Sequence, residues 1–242
     1  MTVAEQPLVS CLMPTYNRRW FIPRAIAYFL RQDYSNKELI IIDDGEDCIR
    51  DLVPVDKPGI RYYRLDTKIN LGAKLNRACR LAKGGILVNW DDDDWYAPWR
   101  LRYQVDSLLR AGAEVCGINQ LLYYDLRSQS GFLYSYPADQ RVWLLGSSLC
   151  FTRARWEGGV FAEIDVGMDG LFVWATRSER VLPLSDNRFA VHMIHDRNVS
   201  PKKTEGLWWH SHSVEEIRAI MGNDYVFYKD GLVEAGRKKI VN

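Results

Sequence analysis

The sequence predicts a mixed α/β fold: one mostly parallel sheet flanked by helices. Short β-branched apolar runs alternate with stretches of helical periodicity through the first half of the chain, and the strand runs are apolar throughout. Such repetition, with strands buried on both faces, is the mark of a parallel sheet covered by helices on either side. The chain has 242 residues, 47% hydrophobic and 26% charged, ample for a well-buried core.

Residues 9–13 form the first apolar run, ended by Pro14, and read as a buried strand. Ile22, Ile26, Phe29 and Leu30 then fall at helical spacing across residues 22–32. Residues 38–42 are a second strand that ends abruptly in Asp43-Asp44-Gly45, and residues 60–65 a third. A helix over 73–82 and a fourth strand over 86–90 follow, and Pro98 opens a helix running to Arg110, where its missing N–H is harmless. Residues 113–124 and 131–136 read as strands of a hairpin-like excursion. Residues 144–152 are another strand, 168–177 a helix, 181–184 and 189–195 two more strands, and 214–221 a short helix. Neither linker nor repeat interrupts the sequence. The expectation is a single domain over 1–242: a first half at about 8–112, a second at about 113–205, and a C-terminal flap or tail at 206–242.

Composition excludes several classes. Lys+Arg number 32 against Asp+Glu 31, a net charge of +1, which offers no field for gripping nucleic acid or an anionic membrane over a broad face. The first seven residues are polar and lack the apolar core of a secretory signal. No apolar run approaches the ~20 residues that span a bilayer. The five cysteines, Cys11, Cys48, Cys79, Cys116 and Cys150, are odd in number, lack CxxC spacing and mostly sit in apolar surroundings. They read as buried, reduced thiols. A cytoplasmic protein without a transmembrane segment is expected, with a peripheral position at a membrane still open.

In a parallel sheet, ligands bind beyond the carboxyl ends of the strands. Three predicted strands end there in polar residues: Pro14-Thr15-Tyr16-Asn17, Asp43-Asp44-Gly45 and Asp91-Asp92-Asp93-Asp94. Burying even one carboxylate costs several kcal/mol unless it is paired or bound to metal. A hard divalent cation, Mg²⁺ or Mn²⁺, resolves four consecutive acids after an apolar strand, because it takes carboxylate and phosphate oxygens together. The alternative is a solvated acidic turn before the next helix.

Strand–Pro-Thr-Tyr-Asn, strand–Asp-Asp-Gly, Asn-x-Gly before a helix, and strand–Asp-x-Asp-Asp-Trp-x-x-Pro occur here in one order over roughly residues 8–200. This ordered set resembles the family-2 glycosyltransferases of the GT-A fold. The resemblance implies a Rossmann-like nucleotide-binding half, an acceptor-side half, and inverting transfer of a sugar from a nucleotide-diphosphate sugar to a hydroxyl. Pro14, Thr15, Tyr16 and Asn17 match the loop that holds base and ribose. Asp44 matches the acid that accepts a hydrogen bond from uracil, which favours a UDP-sugar, although thymine offers the same donor. Asn70, Gly72 and Asn76 match the segment beneath the nucleotide, and Lys74 is placed to meet a phosphate. Asp93 is the expected metal ligand, helped by Asp91, with Asp91 or Asp92 on the ribose side. The acceptor, whether glycan, lipid carrier, peptide or small molecule, stays open.

Inverting transfer needs one general base. Asp169 matches the base that opens the family's acceptor-side helix, with Met168 where a Glu is usual and Asp165 in reserve. A helix N-terminus lowers a carboxylate's pKa and desolvation raises it, so the sequence leaves the balance open. The run His195-Asp196-Arg197-Asn198-Val199-Ser200 resembles the family's late His-x-x-Asn-x-Ser segment, which makes His195 a further metal ligand. His192 and His195, three apart in one strand, would point to opposite faces. Trp208 and Trp209 suggest a flap, an acceptor platform or core packing. A related nucleotidyltransferase would need a Gly-rich, Arg-bearing loop after the first strand. A two-metal nuclease would need acids dispersed over several strands. A binding module with lost catalysis finds support only in Met168.

Overall fold

The structure, a computed structural model, describes residues 6–229. The first half runs β1 (Val9–Thr15), α1 (Ile22–Leu30), β2 (Lys37–Asp43), β3 (Ile60–Arg64), α2 (Leu71–Leu81) and β4 (Ile86–Asn89), and the pairings among these strands are all parallel. A short β5 (Trp95–Tyr96) and α3 (Arg100–Arg110) lead to β6 (Val115–Gly117), β7 (Gln120–Asp125), β8 (Ser130–Ser135) and β9 (Cys150–Thr152). Then come α4 (Arg153–Glu157), α5 (Met168–Trp174), β10 (Val181–Pro183), β11 (Ala190–Ile194), β12 (Trp209–His212) and α6 (Val214–Met221).

The central seven-stranded sheet has the order β10-β6-β9-β4-β1-β2-β3 and is parallel except at β9, which is antiparallel to both neighbours. Its apolar strands alternate between two cores. Val9, Cys11, Met13, Leu39, Ile41 and Val88 face one, while Leu12, Ile40, Ile42 and Leu87 face the other with α2 and α5 residues such as Leu75 and Phe172. Period-two alternation between two apolar layers is what makes the strands read as unbroken apolar runs. Burial of α1 through Ile22, Ala25, Ile26 and Phe29 follows its helical spacing. Asn70 caps α2 by accepting from Ala73 N at 2.8 Å, a contact worth about 1 kcal/mol in such positions.

A second sheet, β12-β8-β7-β11-β5, extends the single sheet expected. The chain breaks at Ile118 and Asn119, so residues 113–124 divide into β6 in one sheet and β7 in the other. Only Cys150–Thr152 of the 144–152 run is strand; a 3₁₀ turn at Gly146–Ser148 precedes it. There Ser148 Oγ accepts from Ile118 N and donates to Leu145 O, so local side-chain bonds replace a ladder. Pro14 does not end β1. β4 leaves the ladder after Asn89, opposite Leu12, so the nitrogen of Pro14 needs no partner there. Pro98 stands before α3, which begins at Arg100. All five cysteines are free, and four are buried; Cys48 is exposed. Among the described residues no helix is long and apolar enough to cross a membrane. The expected tail lies outside the described residues from 230 onward, and the polar N-terminus does so through residue 5.

Candidate active site

Because β1, β2 and β4 are parallel, their carboxyl ends share one sheet edge, and the strand order reverses between β1 and β4. A crevice forms at such a reversal. The cleft found there has a volume of about 440 Å³, and Thr15, Tyr16, Lys74, the four aspartates and Asp169 all line it.

The aspartates divide. Asp92 turns toward Arg18, whose Nη1 lies 2.7 Å from Asp92 Oδ1 and 2.8 Å from Asp93 Oδ2. Asp91, Asp93 and Asp94 each offer a carboxylate oxygen within 4.8 Å of the other two. Burial raises the Asp91 carboxyl well above its ordinary value, and the negative charges of Asp94, Asp93 and Asp92 add to the rise. Burial acts on Asp93 in the same direction, but Arg18 and His195 outweigh it and hold that carboxyl at about 2. Several carboxylates facing one cation-sized space form an all-oxygen donor set that suits Mg²⁺ or Mn²⁺.

Both histidines reach this cluster. β11 ends at Ile194, so His195 is free of the strand's alternation. His192 Nδ1 donates to Asp94 Oδ2 at 2.5 Å, and His195 Nε2 donates to Asp93 Oδ2 at 2.9 Å. The backbone N–H of Arg197 donates to His195 Nδ1 at 3.1 Å, which leaves the proton on Nε2. His195 thus lies against Asp93, one of the three clustered carboxylates. Asn198 completes the turn, accepting from His195 N and donating to Met193 O. Arg18 was missed in the sequence, where only an Arg just beyond the Pro-Thr-Tyr-Asn run could have hinted at it, and His192, expected on the face opposite His195, reaches the same cluster.

The segment expected to cradle the nucleotide is split. Pro14, Thr15, Tyr16 and Lys74 line the cleft. Asn17 instead buttresses the next loop, its Oδ1 accepting from Glu46 N at 2.7 Å. Asp44 lies beneath the cleft: its side chain is fully buried, Oδ1 is 2.5 Å from Lys74 Nζ, and Oδ2 accepts from Ile69 N at 2.9 Å. Each oxygen of this carboxylate thus already accepts one hydrogen bond from the protein. Asn76 is also interior; its Oδ1 accepts from Phe161 N and Trp156 Nε1, and its Nδ2 donates to Phe161 O. Gly72 is demanded by packing, since a Cβ there would stand 1.9 Å from the carbonyl oxygen of Ala162. Gly72, whose N–H donates to Ile164 O, and Asn76 tie α2 to the loop before α5, while Asn70 caps that helix.

Asp169 sits in the first turn of α5, and its Oδ2 accepts from Gly146 N at 3.0 Å. Gly146 O in turn accepts from Asn89 Nδ2 at 2.8 Å, and the buried Arg100 donates to both Asn89 O and Ser147 O. The end of β4 and the carboxylate of Asp169 are thus linked through one short turn. Burial raises the Asp169 carboxyl, outweighing its bonds to backbone N–H groups. Desolvation wins the contest that the sequence left open. Asp165, the reserve, accepts from Leu71 N and is exposed.

A profile described as glycosyl transferase family 2 matches residues 10–152. The chain belongs to that family. WcaA of Escherichia coli (strain K12), named for a colanic acid biosynthesis glycosyl transferase, is 32% identical over 182 residues, covering 74% of this chain and 61% of its own length. TarS of S. aureus (residues 1–349, in complex with UDP-GlcNAc) superposes with a TM-score of 0.64 at 19% identity, covering 79% of this chain and 60% of that one. The mannosyltransferase PcManGT from Pyrobaculum calidifontis, in complex with GDP-Man and Mn²⁺, gives 0.63 at 21%, covering 81% and 59%. Both share the GT-A fold with this family member. The chain spans about three fifths of the length of these relatives.

Proposed function

We propose that this chain transfers a sugar, with inversion, from a nucleotide-diphosphate sugar to an acceptor hydroxyl, using Mn²⁺ or Mg²⁺. The observation that carries the reading is one cleft at the β1–β4 reversal, with the Asp91, Asp93 and Asp94 carboxylates clustered in it and Asp169 in the same lining. The halves at about 8–112 and 113–205 correspond to donor and acceptor sides.

Asp91, Asp93 and Asp94 would hold the cation. Bound there, it supplies Lewis-acid neutralisation of charge on the departing diphosphate. Thr15 and Tyr16 border the donor, and Arg197 and Lys202 bring positive charge to the cleft wall for its phosphates. Asp169 accepts the proton of the acceptor hydroxyl as that oxygen bonds the anomeric carbon. The bond from that carbon to the diphosphate oxygen breaks on the opposite face, and the nucleoside diphosphate leaves with the electron pair. A carboxyl raised by burial is a stronger base for this task than a solvated one. UDP is the first nucleotide to test, because the sequence resemblance favours it and TarS was solved with a UDP-sugar.

The test is a thermal-shift series with UDP, GDP and dTDP, each with Mn²⁺ or with EDTA. Stabilisation by one nucleotide that needs the cation is expected. Equal stabilisation in EDTA would overturn the metal assignment, and none with any nucleotide would overturn the donor assignment.

A further inference from the structure

The donor reading leaves one side of the cleft unexplained. Tyr123, Tyr134, Trp143 and Trp209 line it together. They belong to an unbroken aromatic series that begins at the acid cluster: Tyr123 is 5.4 Å from His192, Trp209 is 4.9 Å from Tyr123, and Tyr134 is 5.1 Å from Trp209 between ring centroids. From Tyr134 the series continues to Trp143 at 6.0 Å and Trp208 at 6.1 Å, and both of these meet Tyr136, at 5.3 and 5.7 Å. Three separate pieces of chain converge to build it: the β7–β8 hairpin, the segment before Gly146, and β12 paired antiparallel to β8. Trp208 keeps 42% of its surface exposed, and Tyr134, Tyr136 and Trp143 are only half-buried.

The series ends beside the candidate base. A Cβ on Gly170, the residue after Asp169, would lie 3.5 Å from Trp143 Cδ1, and Gly146, which donates to Asp169, is three residues beyond Trp143. Trp143 and Asp169 thus stand close together in the lining of one cleft. We infer that this aromatic wall is an acceptor subsite for a pyranoside, so that the acceptor is a saccharide. The inference rests on the transfer reading above and adds the acceptor's chemical class.

The chemistry follows from the rings. One face of a pyranose presents C–H groups with partial positive charge, which meet the negative face of an indole or phenol, while its hydroxyls stay at the edge. Aromatic side chains give this contact at little conformational cost, since only two torsions must be fixed. An isoprenoid or alkyl chain would also pack on such rings, and the octyl probe below separates that outcome from pyranoside binding.

The experiment is saturation-transfer NMR on the full chain with saturating UDP and Mn²⁺, using methyl glucoside, galactoside and mannoside, their β-linked disaccharides, and an octyl glucoside as probes. Transfer to ring C–H protons of at least one pyranoside is expected, weakened about tenfold in Trp143→Ala or Trp208→Ala, as suits loss of one ring-sized apolar contact, and restored by Trp208→Phe. Circular dichroism identifies a variant that has not folded, and the exposed Trp208 keeps the test open if Trp143→Ala fails. Transfer confined to the octyl protons, or pyranoside transfer unchanged in both alanine variants, would overturn the subsite. The UDP-dependent thermal shift of the parent separates this failure from that of the transfer reading. A parent that binds UDP yet shows no pyranoside transfer sinks only the acceptor inference.

Discussion

Arg18→Met tests the electrostatics of the cleft most directly. The Arg18 guanidinium lies 2.7 Å from Asp92 and 2.8 Å from Asp93, and neither carboxylate side chain is more than 5% exposed. Methionine keeps much of the volume and removes the charge, leaving two buried carboxylates short of a partner. Removing one member of a buried pair costs about 3–5 kcal/mol. Protonation relieves part of that cost, because burial already raises Asp92, so the lower end, about 3 kcal/mol, is expected. For a chain of this length that is a fall in Tm of roughly 6–12 °C. The pH dependence has a definite sign. In the parent, burial raises Asp93 but Arg18 and His195 bring it down to about 2. That stabilisation is present above the ordinary carboxylate value and is lost as pH falls through about 2. Without Arg18 the carboxyl rises, so the variant gains stability on mild acidification and the gap to the parent narrows. Mn²⁺ should raise the variant's Tm more than the parent's, because the guanidinium no longer competes for Asp93. Differential scanning fluorimetry of metal-stripped protein reads all three effects. A Tm within 2 °C of the parent, or a gap indifferent to both pH and Mn²⁺, would refute this account of the acids.

Asp169→Asn should lower transfer, or donor hydrolysis in its place, by about 10²–10⁴-fold, the usual contribution of a general base. Its melting temperature at neutral pH should not fall, since an amide oxygen can still accept from Gly146 N and a buried charge is removed. The parent's acid limb of activity should lie above the ordinary carboxylate range, because a raised carboxyl is neutral, and useless as a base, until pH exceeds its folded value; an acid limb at the ordinary carboxylate value would speak against Asp169. Gly72→Ala would add about 1 kcal/mol of helix propensity, but its Cβ would stand 1.9 Å from Ala162 O. The backbone must move by more than an ångström, so a net loss of about 1–3 kcal/mol is expected by denaturant titration; a neutral or stabilising result would show that α2 is not pressed against the loop before α5.

The sequence by itself determined the architecture of the first half and the location of the cleft. Apolar runs such as residues 39–42 can be satisfied only between two apolar layers, and four acids after such a run must sit at an open edge. Local chemistry sufficed there: periodicity, caps and turn residues act within a few positions of one another. Assignments that depend on partners far along the chain needed the tertiary structure. Asp44 is legible as a polar strand end, but only the fold pairs it with Lys74, 30 residues away. His195 directly follows β11, and only the fold sets it against Asp93, 102 positions away. Asn70 caps α2 locally, but that Gly72 and Asn76 also fasten this helix to residues near 162 is visible only in three dimensions. Arg18 meets Asp92 across 74 positions, and the aromatic wall assembles from segments that share no local pattern. A buried polar group must find a partner, but only the folded chain decides which one.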